Sequence, residues 1–156
     1  MPRKLRVVVP GSAYHVYARG NDRRAIARDD ADFLSLDRLT LKTIRDFRWV
    51  CWAYTLMPNH LHLVVEIREA NLSQGMQRLL GRYAQLYNER HDRSGHLFQG
   101  RFDDRLLDSD RRRANAIEYV LDNPVAAELV ASRELWPYTG GVAATWRPPP
   151  QRAKAA

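Results

Sequence analysis

The sequence predicts an α+β domain in which helices flank a ferredoxin-like antiparallel sheet. Short runs of alternating aromatic, β-branched and polar residues predict strands, and longer runs with hydrophobic residues every three or four positions predict helices. Their order along the 156 residues is strand, helix, strand, strand, helix, strand, helix, without an internal repeat. A ferredoxin-like sandwich is the nearest common template for that order.

The first half of the chain supplies three strands and one helix. Residues 13–20 (AYHVYARG) alternate and end in turn formers. Residues 30–46 begin with acidic residues and carry hydrophobic side chains at helical spacing, which predicts an amphipathic helix. The β-rich runs 47–57 and 60–67 are joined by a Pro-Asn pair, and this arrangement predicts a hairpin.

The second half supplies two helices and a short strand. A hydrophobic stripe predicts a helix that is capped by Asn71 or Ser73 and runs to about residue 91. Residues 102–107 predict a strand. The last helix is expected to be capped by Asp108 or Ser109 and to end near residue 122, because Asn123-Pro124 follows.

Length and composition favour one domain, residues 1–139 with a short basic N-terminal arm, followed by a tail. Residues 140–156 are rich in Pro, Ala and basic residues, which predicts disorder. Cys51 is the single cysteine, so an internal disulfide is excluded and a small buried hydrophobe is expected. The N-terminal apolar run is too short for a signal peptide, and no run approaches a membrane span, so we expect a cytoplasmic protein.

The charge balance points to a polyanionic partner. Lys and Arg number 25 against 18 Asp and Glu, for a net charge of +7. Such an excess favours binding to nucleic acid or another polyanion, although charge alone does not distinguish between them.

The segment MPNHLHLVVE places two histidines on one face of a predicted strand. His60 and His62 are two residues apart, so their side chains point the same way and can reach one divalent ion. Without a Cys cluster, the ion would be Mg²⁺ or Mn²⁺, completed by an oxygen ligand. Spacing leaves an equal alternative, a pair of half-exposed histidines without a ligand. His15 would lie beside this site if its strand neighbours that of His60.

Two tyrosines are candidates for a nucleophile beside such an ion. Tyr119 and Asn123 are four residues apart and would share a helix face. Tyr87 and His91 have the same spacing, but Tyr87 falls on the apolar stripe of its helix, which favours a core position. Periodicity leaves both pairs open.

Four segments together resemble a known family. MPNHLHLVVE has the histidine-hydrophobe-histidine pattern of the HUH nucleases. The segments YHVYARGNDRR, SGHLFQGRF and EYVLDNPV are similar to those of the single-tyrosine transposases, especially the REP-associated branch. The resemblance extends from about residue 12 to residue 138 and keeps the motifs in the same order.

The resemblance implies an activity and a set of site residues. It implies that residues 1–139 are a single-tyrosine HUH transposase domain with a ferredoxin-like fold, and that His60 and His62 bind a divalent metal, Mg²⁺ or Mn²⁺. Tyr119 would be the nucleophile, and Asn123 would complete the metal shell at a position where many relatives have Gln. The reaction would be cleavage of single-stranded, hairpin-forming REP-like DNA, giving a 5′-phosphotyrosine adduct and a free 3′-OH.

Two groups of arginines are candidates for contacts with DNA phosphates. They are Arg19, Arg23 and Arg24 after the first strand, and Arg111, Arg112 and Arg113 before Tyr119. The alternative to catalysis is a non-catalytic nucleic-acid-binding module, because a sheet with aromatic residues can stack bases without cutting them. Hydrolysis by water, without an adduct, is a third hypothesis. The sequence leaves both a monomer and a homodimer open.

Overall fold

A computed structural model of the chain describes residues 5–143. Its strands and helices are β1 (Ala13–Arg19), α1 (Asp30–Asp46), β2 (Val50–Leu56), β3 (His60–Glu66), α2 (Leu72–Arg90), β4 (Asp103–Leu107), α3 (Asp110–Ala126) and β5 (Thr139–Gly140). The sheet is antiparallel, in the order β4-β1-β3-β2-β5. Strands β1 to β4 with α1 and α2 form the ferredoxin-like βαββαβ unit, so the predicted fold class is confirmed.

The two faces of the sheet carry different layers. Leu61, Leu63 and Val65 of β3 face the main core, where they pack with buried residues of α1 and α2. The opposite face is covered by α3, whose Val120 packs in a smaller cluster that includes Val64. Because strand side chains alternate, the residues between the core leucines of β3 point toward α3.

Helix α2 begins where the sequence predicts, but Asn71 does not cap it with its side chain. The amide of Asn71 instead accepts a hydrogen bond from Trp49 Nε1 at 2.9 Å and donates one to the carbonyl of Phe47 at 3.1 Å. This residue therefore ties the start of α2 to the segment that enters β2. The sequence pattern identifies the cap position correctly. The side chain of Asn71 does not cap the helix, because it is bonded to Trp49 and Phe47 instead.

Helix α3 begins as expected at Ser109, whose hydroxyl accepts from the backbone N–H of Arg112 at 3.1 Å. The predicted end near residue 122 is wrong, because the helix continues through Pro124 to Ala126. Proline removes one helical hydrogen bond, but Pro124 is buried, and the ladder resumes where Ala127 N–H donates to the carbonyl of Asn123 at 3.0 Å. Asn123 consequently stays in helical register with Tyr119.

The segment after α3 returns to the main core and closes the sheet. Tyr138 stacks on Phe33 with ring centroids 4.2 Å apart, and Trp136 Nε1 donates to the carbonyl of Leu56 at 2.9 Å. Thr139 and Gly140 then pair with β2. The sheet therefore includes the first residue of the predicted tail, and residues 144–156 lie outside the described part.

The N-terminal segment also packs on the domain from residue 5 onward. The guanidinium of Arg6 lies 3.5 Å from the ring centroid of Phe102 and forms an ion pair with Asp104 at 2.8 Å. The arm's first four residues lie outside the described part. Cys51 is buried as expected. Among residues 5–143, no helix has the length and apolarity needed to cross a membrane.

Candidate active site

A cleft of about 1010 Å³ lies between the sheet and α3. The side chains that line it come from three strands and one helix. They include His15 and Tyr17 of β1, His60 and His62 of β3, Asp103 to Arg105 of β4, and Tyr119 and Asn123 of α3. The site predicted from the sequence thus falls in one cavity, although nearly sixty residues of chain separate its two halves.

His60 lies between two side-chain oxygens. Its Nδ1 is 2.7 Å from Oδ1 of Asn59, and its Nε2 is 3.0 Å from Oδ1 of Asn123. Both amide oxygens can only accept, so a neutral ring can donate to Asn59 from Nδ1 or to Asn123 from Nε2, but not to both. Binding of a cation at Nε2 would require the tautomer with the proton on Nδ1.

His62 is the more deeply buried of the pair, with 4% of its surface exposed. Its Nδ1 lies 2.9 Å from Nε2 of His15, and its ring centroid lies 5.0 Å from that of Tyr17. These contacts exist because β1 pairs directly with β3, with Tyr17 opposite His62 in the register. The sequence places His15 beside the site only on the condition of that pairing, and the condition holds.

Burial keeps the three histidines uncharged. Desolvation lowers the pKa of His62 to about 3, with further lowering by the neighbouring His15 and His60. Desolvation also lowers the pKa of His60, against an opposing hydrogen bond to Asn123. The pKa of His15 is lowered by burial and by the charge of Arg105. At neutral pH each ring therefore has one nitrogen with a lone pair.

Tyr119 stands at the open side of the cleft with 56% of its surface exposed. Its ring centroid is 5.5 Å from that of His62 and 5.8 Å from that of His15. Neighbouring Val120 and Leu121 are buried against the sheet and fix the rotation of α3. The phenol of Tyr119, exposed beside the histidines, is therefore accessible to a polymeric substrate.

The rival pair lies elsewhere and is held in packing contacts. Tyr87 is 2% exposed, and its hydroxyl donates to the carbonyl of Ala25 at 3.4 Å. His91 Nε2 lies 2.8 Å from a carboxylate oxygen of the buried Asp32. Tyr87 therefore belongs to the core, as its position on the apolar stripe indicates.

The donors at the cleft fit a small divalent cation. Within residues 5–143, no group of three or more His, Cys, Asp or Glu side chains is arranged as a metal site. A cation bound at the histidine pair would draw its other ligands from other donors, and the amide oxygen of Asn123 is one such donor. Adjacent ligands of an octahedral ion with bonds of about 2.1 Å are about 3.0 Å apart. The 3.0 Å between His60 Nε2 and Asn123 Oδ1 agrees with that spacing.

The six predicted DNA-binding arginines differ in their surroundings. Arg23 and Arg24 are exposed and form no ion pair with any residue in the described range, and the same is true of Arg111. Arg19 donates to Gln99 at 2.8 Å, and Arg112 pairs with Asp108 at 3.3 Å.

Arg113 contacts both an aromatic ring and carboxylates. Its guanidinium lies 4.6 Å from the ring of Trp52 and 3.9 Å from the carboxylate of Glu66. These contacts join the start of α3 to β2 and β3. A packing role at this position competes with any role in binding phosphate.

Residues 8–123 match the family model of IS200-like transposases, over about three quarters of the chain. The chain belongs to the IS200-like transposase family. The matched segment includes His60, His62, Tyr119 and Asn123. Membership gives this IS200-like transposase a DNA-processing function of the transposase type.

Solved structures of transposases share the fold. A REP-associated tyrosine transposase, solved bound to a REP hairpin, superposes with a TM-score of 0.72 at 17% identity, over 89% of this chain and 82% of that one. A candidate transposase from Deinococcus radiodurans R1 superposes with a TM-score of 0.51 at 19% identity, over 76% of this chain and 95% of that one. The comparison with curated proteins gives no match.

Proposed function

We propose that this IS200-like transposase is a metal-dependent nuclease and strand transferase for single-stranded DNA, with Tyr119 as its nucleophile. The observation that carries the proposal is the position of the Tyr119 ring, 5.5 Å from His62 and exposed to solvent, one helical turn before Asn123. A nucleophile beside candidate metal ligands is an arrangement suited to metal-assisted phosphodiester transfer.

The reaction follows from the chemistry of the phenol. Oη of Tyr119 attacks the phosphorus of a DNA phosphodiester, and the Oη–P bond forms as the P–O3′ bond breaks. The phenol loses one proton and the departing 3′ oxygen gains one, so the products are a 5′-phosphotyrosine and a free 3′-OH. Because the adduct is itself a phosphodiester, a second 3′-OH can reverse the step without ATP.

A Mg²⁺ or Mn²⁺ ion would be held by Nε2 of His60, Nε2 of His62 and Oδ1 of Asn123. When bound, the ion supplies Lewis-acid stabilisation of negative charge on the phosphate and leaving oxygens. The protein's own part is to keep both imidazoles neutral by burial and to hold Tyr119 against them on a packed helix.

The substrate we propose is a single strand that folds into a REP-like hairpin. A structural neighbour binds a REP hairpin, and the cleft is open enough for Tyr119 to meet an extended strand. The excess of positive charge supports binding to a polyanion. Arg23 and Arg24, exposed beside the turn that precedes His60, are the proposed phosphate contacts.

The test uses Mn²⁺ and hairpin oligonucleotides with single-stranded extensions, whose sequences come from any palindromes found beside the gene. With DNA labelled at its 3′ end, the wild type should give a protein-linked band on a denaturing gel. With DNA labelled at its 5′ end, the released fragment should be extendable by a polymerase, because it ends in a 3′-OH. Tyr119→Phe should abolish both signals, and the control Tyr87→Phe should keep them if it folds.

The alternatives give different products. Cleavage without a covalent band would indicate hydrolysis by water. Salt-sensitive binding without cleavage, indifferent to EDTA and to the loss of His60 and His62, would indicate a non-catalytic module. An adduct that persists undiminished in Tyr119→Phe would reject the assignment of the nucleophile.

A further inference from the structure

His15 contacts a proposed metal ligand without being one of the three. It lies on β1, in register opposite Val64 of β3 and Arg105 of β4, and its side chain points to the same face as His62. Its Nε2 is 2.9 Å from Nδ1 of His62, and the two ring centroids are 5.1 Å apart. The two nitrogens are at hydrogen-bond distance, so one proton lies between them.

Two arrangements of that proton are chemically distinct. If His15 Nε2 carries it, His62 accepts at Nδ1 and has its own proton on Nε2, where it could not bind a cation. If His62 Nδ1 carries it, His15 accepts, and Nε2 of His62 has a lone pair. The identity of the donor therefore decides whether His62 is a competent ligand.

His60 has an acceptor at each ring nitrogen, Asn59 Oδ1 at Nδ1 and Asn123 Oδ1 at Nε2. A cation at Nε2 of His60 would require the proton on Nδ1, where Asn59 is placed to accept it. The same assignment at His62 gives two adjacent histidines with matched tautomers. A metal-binding histidine generally donates its second N–H to a neighbouring acceptor, which fixes the ring.

We infer that His15 is a positioning residue that accepts the Nδ1–H of His62 and so directs the Nε2 lone pair of His62 into the cleft. Asn59 would do the same for His60 when a cation occupies its Nε2. The inference rests on the proposed function for the identity of the ligands, but it concerns the tautomer of His62, which can be measured without DNA or activity.

The first measurement is a long-range ¹H–¹⁵N spectrum of the metal-free full chain labelled with ¹⁵N-histidine, at pH 7.5. We expect the wild-type His62 to carry its proton on Nδ1. His15→Leu removes the acceptor and should leave His62 as a mixture of tautomers. In His15→Gln, the amide oxygen can reach the place of the imidazole Nε2, so Nδ1–H should be restored.

The second measurement is binding of Mn²⁺ alone, followed by the electron paramagnetic resonance signal of the free ion. His15→Leu should weaken binding about 10- to 100-fold, which is the usual cost of losing such a partner. His15→Gln should stay within about threefold of the wild type. His96→Leu removes an exposed histidine by the same substitution and should change nothing.

A proton on Nε2 of the wild-type His62 would overturn the inference, as would unchanged Mn²⁺ affinity in folded His15→Leu. If His15→Leu does not fold, the inference is tested by the tautomer of the wild-type His62 and by the Mn²⁺ affinity of His15→Gln. Loss of the proposed function has a separate signature, because an adduct that survives Tyr119→Phe would leave the tautomer and the Mn²⁺ affinity as expected.

Discussion

Oδ1 of Asn123 lies 3.0 Å from Nε2 of His60, and this contact joins α3 to the central strand of the sheet. Loss of a partner that merely orients a ligand costs about 10- to 100-fold in metal affinity. We therefore expect Asn123→Ala to weaken Mn²⁺ binding at least about tenfold, and Asn123→Asp to strengthen it by adding a charge. Titration with Mn²⁺ followed by calorimetry measures both.

Asn115→Ala is the matched control for this prediction. Asn115 is exposed on the same helix, so its loss should leave Mn²⁺ affinity unchanged. Equal affinity in Asn123→Ala and the wild type would exclude Asn123 as a ligand.

The arginines of the loop after β1 should contribute to DNA affinity by neutralising phosphates. The double variant Arg23→Ala/Arg24→Ala should bind a single-stranded hairpin more weakly. The slope of log affinity against log salt should become shallower by about 0.7 for each phosphate that the protein no longer neutralises. Fluorescence anisotropy at several salt concentrations measures this.

Arg38→Ala/Arg45→Ala is the control, because it removes the same charge from α1, on the far side of the sheet. A slope equally reduced in both double variants would mean that net charge, and not the loop, determines binding.

Two glycines of α2 should respond oppositely to alanine. A Cβ on Gly75 would lie 2.3 Å from the ring of Trp49, whereas a Cβ on Gly81 would meet no atom within 4 Å. Gly75→Ala should lower the free energy of unfolding by about 1–3 kcal/mol through overpacking. Gly81→Ala should raise it by about 0.5–1 kcal/mol through helix propensity. Urea denaturation measures both, and a stabilised Gly75→Ala would contradict the close packing of α2 on Trp49.

The free energy of unfolding should depend on pH in the acid range because of the Asp46 carboxylate. Hydrogen bonds from Lys42 and then Arg78 lower the pKa of Asp46 to about 2, below its unfolded value. The stabilisation that the Asp46 carboxylate contributes to the folded state is therefore complete above about pH 4 and is lost as the pH falls toward about 2. The melting temperature of Asp46→Asn should lie below that of the wild type at about pH 5 and converge with it near about pH 2. Added salt should reduce this difference in melting temperature, because the ion pairs of Asp46 with Lys42 and Arg78 are exposed. A difference that is constant with pH would contradict this.

Much of the fold was predictable because the core depends on periodicity. The alternation in β3 separates His60 and His62 from the core leucines, and α1 begins and ends where its pattern predicts. The end of α3 was not predictable, because the helix continues through Pro124, which is buried by tertiary packing.

The site was predictable only in part. The four-residue spacing is the same for Tyr119 and Tyr87, since both have a polar partner one turn later. The apolar stripe favours a core position for Tyr87, and the burial of Tyr87 and exposure of Tyr119 agree with that, but which helix covers the histidine face of the sheet could not be read from the pattern. The approach of His15 to His62 required the strand order, since only pairing of β1 with β3 brings the rings together.

Along β3, hydrophobic residues that face the core alternate with residues that face α3 and the cleft. The pairing register of this strand therefore decides what each face of the sheet carries. A slip of one residue in its pairing would turn both histidines into the core and place three large hydrophobic side chains on the side of the cleft. A chain paired in the wrong register would therefore lose its core packing together with its cleft. The hydrophobic residues that hold the sheet together thus also determine which face of the sheet carries the histidines.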